Sequence, residues 1–85
     1  MIRNNVTLLD IKAGEKAEIV SLAGGYGFMR RLQEMGLIPG QIVEVVRNSA
    51  MGPVEISVMG THLAIGRGIA AKVIVRPVRR QIYGR

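Results

Sequence analysis

The chain has no cysteine and no tryptophan, one histidine, three other aromatic residues, and not one acidic residue after Glu55. Without cysteine there is no disulfide framework and no thiolate metal site, so packing and backbone pairing must hold the fold. A single histidine and three serines are the whole nucleophile–base stock. A triad needs a nucleophile, a base and a carboxylate that orients the base, so enzyme chemistry is not expected. With Tyr26, Phe28 and Tyr83 as the only aromatics, there is no row of rings on which bases could stack. The start, Met1-Ile2-Arg3-Asn4-Asn5, lacks the apolar stretch of a secretory signal. No apolar run approaches the ~20 residues of a membrane span. The expectation is a cytoplasmic protein, peripheral at most to the inner face of a membrane.

What is present is a short chain of 85 residues, 48% hydrophobic and rich in glycine. That is enough for one domain with one small core. The formal charge is +6, from twelve Lys and Arg against six Asp and Glu. Residues 1–55 hold six of each sign, whereas residues 56–85 hold Arg67, Lys72, Arg76, Arg79, Arg80 and Arg85 with no acid. Such asymmetry points to an anionic contact, and Arg76, Arg79, Arg80 and Arg85 are the candidates. A membrane surface or an acidic protein fits them; the alternative is a small basic barrel that binds nucleic acid, with affinity falling steeply in salt.

Apolar periodicity divides the chain into short elements. Residues 6–11 form an apolar lead-in, with Thr7 and Asp10 as local capping residues. Lys12-Ala13-Gly14-Glu15 reads as a turn. Residues 17–22 form a strand expected to be buried on both faces, and Gly24-Gly25-Tyr26-Gly27 forms a loop. Residues 28–35 switch to helical spacing. Phe28, Leu32 and Met35 point one way, while Arg30, Arg31, Gln33 and Glu34 point the other. Gly36 is placed at the left-handed position after the helix, with Leu37 folded back on Leu32. Pro39-Gly40 is a type II turn. Strands are expected over 41–47, 54–59 and 62–65, the last two joined by a Gly60-Thr61 turn that pairs Met59 with His62. That register puts Glu55 about 13 Å along the strand from His62, too far to share a metal or proton. A helical turn over 67–71 and a strand over 72–76, ended by Pro77, complete the domain. Residues 1–76 form the domain and 77–85 a basic tail.

Five short strands and one amphipathic helix make a mainly β fold. Closure into a small SH3-like barrel is expected to hide both edges of the sheet. Residues 54–59 are the expected edge strand and a possible contact between copies. The segments 13–20 and 39–46 echo one another, Ala-Gly-Glu-Lys-Ala-Glu-Ile-Val against Pro-Gly-Gln-Ile-Val-Glu-Val-Val, as two turns each feeding a strand.

The stretch Arg31-Leu32-Gln33-Glu34-Met35-Gly36-Leu37-Ile38-Pro39-Gly40 resembles the FeoA family, whose helix ends in Met-Gly-Leu, one variable residue, then Pro-Gly. The likeness runs from about Thr7 to Val75, through Leu8-Leu9-Asp10-Ile11, Gly24-Gly25, Val43-Glu44-Val45-Val46 and Ala70-Ala71-Lys72-Val73-Ile74-Val75. Ala13 stands where the family often has proline, and Gly68-Ile69 where acids are common. The chain beyond Arg76 is outside the pattern. The resemblance implies an SH3-like barrel and an accessory role in ferrous iron uptake, with no catalysis and no cofactor. The implied partner is FeoB, a membrane permease with a cytosolic GTPase domain. The same barrel type occurs in iron-dependent repressors, but the DNA-binding domain of such repressors has no counterpart here. The candidate partner-binding residues are Arg30, Arg31, Glu34, Leu37 and Ile38, with Met35, Gly36, Pro39 and Gly40 shaping the corner beneath them.

Overall fold

A computed structural model describes residues 6–78. The lead-in opens with a 3₁₀ turn, Leu8–Asp10, closed by a reciprocal capping box. The Thr7 hydroxyl accepts from the Leu9 amide, and Asp10 accepts from the Thr7 amide at 2.8 Å. Then follow β1 (Lys16–Leu22), α1 (Tyr26–Glu34), β2 (Ile42–Asn48), β3 (Val54–Val58), β4 (Thr61–Ile65), the single turn α2 (Arg67–Ala70) and β5 (Val73–Val78).

The strands form one antiparallel sheet in the order β4-β3-β2-β1-β5. It is SH3-like but not closed, contrary to the expected barrel. Closure is unnecessary because its concave face is filled from outside the sheet. Leu8 and Ile11 of the lead-in, Leu32 of α1, Leu37 and Ala70 are buried with Ala17, Ile19, Val43, Val45, Ile56 and Val75. The edges are β4 and β5, so residues 54–59 are interior rather than an edge. The outer side of β5 is itself covered: Thr7 bridges Ile74, and the Val75 amide donates to the Val6 carbonyl.

The two echoing segments turn out to be related by a local pseudo-two-fold. Ala17 faces Val43 at its centre. The Gly14 amide donates to the Val45 carbonyl as the Gly40 amide does to the Ile19 carbonyl, each at 2.7 Å. The Val45 amide donates to Glu15 as the Ile19 amide does to Gln41, each at 2.9 Å. Gly14 and Gly40 have φ of +93° and +94°. Even the bulges correspond: the register slips at Val20 on β1 and at Val46 on β2. Each bulge turns its valine outward, so β1 is not buried on both faces.

Three further expectations are corrected. Gly25 is the N-cap of α1, so Tyr26 and Gly27 are its first turn rather than a loop. The β3–β4 turn is Met59-Gly60, not Gly60-Thr61; both residues have positive φ, and Val58 pairs with Thr61. This register matches Val54, Ile56 and Val58 with Ile65, Leu63 and Thr61, whereas the expected one would set Val54 against Arg67. It also places Ser57 opposite His62 and Glu55 opposite Ala64. His62 and Glu55 are therefore diagonal neighbours, about 7–8 Å apart at Cα rather than 13 Å. Finally, β5 continues through Pro77 to Val78, so Pro77 does not end the strand. The proline is tolerated because its nitrogen, two residues on from the Val75 amide that donates to Val6, faces away from β1.

A candidate partner-binding surface at the end of the helix

α1 and the turn after it form a rigid corner above the sheet. The helix ends at Met35, and Gly36 follows with φ +96°. The Leu37 amide donates to the Leu32 carbonyl and the Gly36 amide to the Gln33 carbonyl, each at 3.0 Å. That pair of bonds is a Schellman closure, which satisfies the orphan carbonyls at the helix end. It drives Leu37 inward, where it is 0% exposed and shares the core with Leu32. Leu37 therefore supports the corner from below and presents no surface, which removes it from the contact residues. Ile38 opens the next turn and is 43% exposed. The Gln41 amide closes that turn onto the Ile38 carbonyl, and the Gly40 amide ties it to β1. The β3–β4 hairpin abuts the corner, since a Cβ on Gly36 would lie 3.7 Å from Val58 Cγ2 and 3.8 Å from Met59 Sδ.

On the outer side of α1, Arg30 and Glu34 form an i,i+4 ion pair at 4.0 Å, with both side chains exposed. In water such a pair contributes only about 0.3–0.5 kcal/mol, leaving both groups available to a partner. Arg31 and Met35 are also exposed. Tyr26, missed as a loop residue, is 82% exposed. It lines a shallow depression with Met29, Arg30 and Gln33, at the i, i+3, i+4 and i+7 spacing of one helical stripe. That spacing is visible in the sequence once Gly25 is taken as the cap.

The basic residues of the last third, in the described part, are engaged within the fold. Arg67 Nη1 donates to Asn48 Oδ1 at 3.0 Å, to the Gly52 carbonyl at 3.1 Å and to the Ser49 carbonyl. Asn48 Nδ2 in turn donates to the Leu9 and Ile11 carbonyls, at 3.0 and 2.8 Å. Lys72 Nζ lies 5.3 Å from the Phe28 ring centre, within cation–π range. Arg76 is bound to the Glu18 carboxylate across β1 and β5. That hydrogen bond, with the attraction of the charge, holds the Arg76 guanidinium above its ordinary pKa. Arg76 thus has an intramolecular partner, while Arg79, Arg80 and Arg85 lie outside the described residues. None of these contacts is signalled locally in the sequence, since the partners lie 15 to 58 residues apart.

The outer face of the sheet is balanced. Lys16 stands opposite Glu44, Arg76 opposite Glu18 and Arg47 opposite Glu55. Such a face gives no electrostatic track for a phosphate backbone. Among the described residues, no group of three or more His, Asp or Glu side chains could hold a metal ion, and no helix is long and apolar enough to cross a membrane.

Residues 6–77 match the family model for the FeoA domain. A protein of Methanocaldococcus jannaschii described as an Fe(2+) transport protein A is 44% identical over 64 residues, spanning 75% of this chain and 77% of that one. The crystal structure of an iron uptake regulatory protein, FeoA, superposes with a TM-score of 0.81 at 40% identity, covering 86% of this chain and 97% of the other. The solution structure of a FeoA protein from Chlorobium tepidum superposes with a TM-score of 0.79 at 30% identity, covering 93% and 76%.

Proposed function

The chain belongs to the FeoA-domain family, and from that premise we propose that it serves ferrous iron transport as a cytoplasmic accessory protein, binding the FeoB-type membrane GTPase-permease and modulating its activity. The family match over residues 6–77 carries this reading. In it the chain performs no reaction. It offers a preshaped surface, the outer side of α1 with Arg30, Arg31 and Glu34, continued by Ile38. The Schellman closure and the type II turn hold that surface in one conformation, which lowers the ordering cost of docking. Arg79, Arg80 and Arg85 add an attraction to the anionic leaflet beside the permease, each basic group near the surface contributing about 1 kcal/mol.

The test is binding of the intact chain to the cytosolic region of the permease at physiological salt, with GTP hydrolysis as a second readout. Binding is expected, together with a changed hydrolysis rate. Arg31→Glu combined with Ile38→Asp should weaken it at least about tenfold, a loss of about 1.4 kcal/mol, at unchanged melting temperature. No binding by the unsubstituted chain overturns the proposal; binding indifferent to both substitutions moves the contact off this corner.

A further inference from the structure

The two edges of the sheet are treated differently. β5 carries Arg76 and Pro77 and is covered by Val6 and Thr7. Charge, proline and cover are the usual protections of an edge strand. β4, Thr61-His62-Leu63-Ala64-Ile65, has none of them. It contains no Lys, Arg, Asp, Glu or Pro. Its pairing with β3 is regular over all five residues, without a bulge. No described strand lies on its other side.

The hairpin decides which backbone groups that edge presents. A two-residue turn makes its flanking residues, Val58 and Thr61, the pair that exchanges both hydrogen bonds. By alternation the Ile56–Leu63 and Val54–Ile65 pairs do the same. The amides and carbonyls of His62 and Ala64 therefore point away from β3, with no backbone partner among the described residues. We propose that the β4 edge is a homodimerisation surface, on which a second copy of this chain adds its own β4 antiparallel about a two-fold axis.

A two-fold contact must be self-complementary, and this edge is. With the axis at Leu63, His62 of one copy faces Ala64 of the other, twice. Each of these pairs exchanges both hydrogen bonds, so all four outward backbone groups at His62 and Ala64 are satisfied in each protomer. The central pair, Leu63 with its own copy, is then of the non-hydrogen-bonded kind, with Cα atoms about 4.5 Å apart and side chains close. Leu63 is half-buried, packed at the margin of the core, so the contact extends both cores into one. On the other face an imidazole meets a methyl group, and no like charges meet. Five residues a side form a contact at the small, transient end of the interface range, so the dimer is expected to depend on concentration.

Sedimentation velocity of the full chain from about 5 µM to about 1 mM tests this; the apparent mass should rise toward that of a dimer across such a range. Ala64→Lys with His62→Lys sets two ammonium groups opposite each other at both ends of the register. It should weaken association at least about tenfold. The fold is kept because position 64 faces Glu55 within the chain. Ala64→Pro removes an outward amide that β3 does not use and should act likewise, with circular dichroism reporting that each variant is folded. Amide exchange at His62 and Ala64 should slow with concentration, while Thr61 and Leu63, bonded to β3, stay unchanged. A monomer throughout the range overturns the proposal, as does a dimer indifferent to these substitutions. A β4 edge that pairs only with another protein's strand also overturns it.

Discussion

Gly36 and Gly24 are required for different reasons. Gly36 has φ +96°, yet a Cβ there would meet only ordinary contacts. The constraint is the backbone, since a β-branched residue is strained at that φ. Gly36→Val should cost about 2 kcal/mol and lower the melting temperature by about 10 °C; an unchanged thermal transition would refute the C-cap assignment. At Gly24 the constraint is also space, because a Cβ would lie 2.5 Å from Phe28 Cδ2. Gly24→Ala should push the ring from beneath Lys72, and loss of the ring-current shift on the Lys72 side chain in proton NMR would show it. Met59 has the opposite problem: a non-glycine residue at φ +52° in a turn that favours Asn-Gly. Met59→Asn should relieve that strain and raise the melting temperature by a few degrees. The sequence carries the signal for Gly36, a glycine directly after an amphipathic run. It carries none for the clash at Gly24, because the position of the Phe28 ring depends on where α1 starts.

At the scale of elements, the Arg67–Asn48 pair joins α2, the β2–β3 loop and the lead-in. Every acceptor of Arg67 there is neutral and all three are reached from the one nitrogen Nη1, so the guanidinium ties three segments together rather than acting as a surface charge. Asn48→Ala would strand the Leu9 and Ile11 carbonyls and should cost about 1–3 kcal/mol. Arg67→Lys should recover little, since the lysine ammonium sits one bond nearer the backbone than Nη1 and falls short of the three acceptors. Denaturant titration of both variants measures this; a change under about 0.5 kcal/mol in either would dismiss the network as ornamental. The order of elements was legible because apolar period, turn glycines and capping residues agree along the chain. The β3–β4 register was not. Two registers keep the same side chains inward, and matching all three inward residues of β3 against β4 decides between them.

For the molecule as a whole, the described residues 6–78 hold eight Lys and Arg against six acids, leaving +2 of the total +6. The other four positive charges are Arg3, Arg79, Arg80 and Arg85. Any affinity for anionic lipid should therefore belong mainly to the chain ends. Removing residues 79–85 should abolish most vesicle binding at about 0.1 M salt while leaving the melting transition in place; undiminished binding would assign it to the domain. The Glu18–Arg76 pair adds no pH dependence near neutrality. A raised guanidinium pKa contributes fully below the ordinary arginine range and is lost only in alkali beyond it.

The sequence by itself determined the order of the elements, the helix stop at Gly36, the two matching turns and the family, because each rests on neighbours within a few positions. Its missing cysteines and single histidine bounded the chemistry in the same way. Tertiary structure alone decided that the sheet stays open and that Arg67, Lys72 and Arg76 serve Asn48, Phe28 and Glu18. Those outcomes depend on which distant strands meet and which side chains then compete for one space. The +6 excess therefore changes meaning. Most of it lies at the ends of the chain, and the basic side chains of the last third that the fold contains help to hold it together.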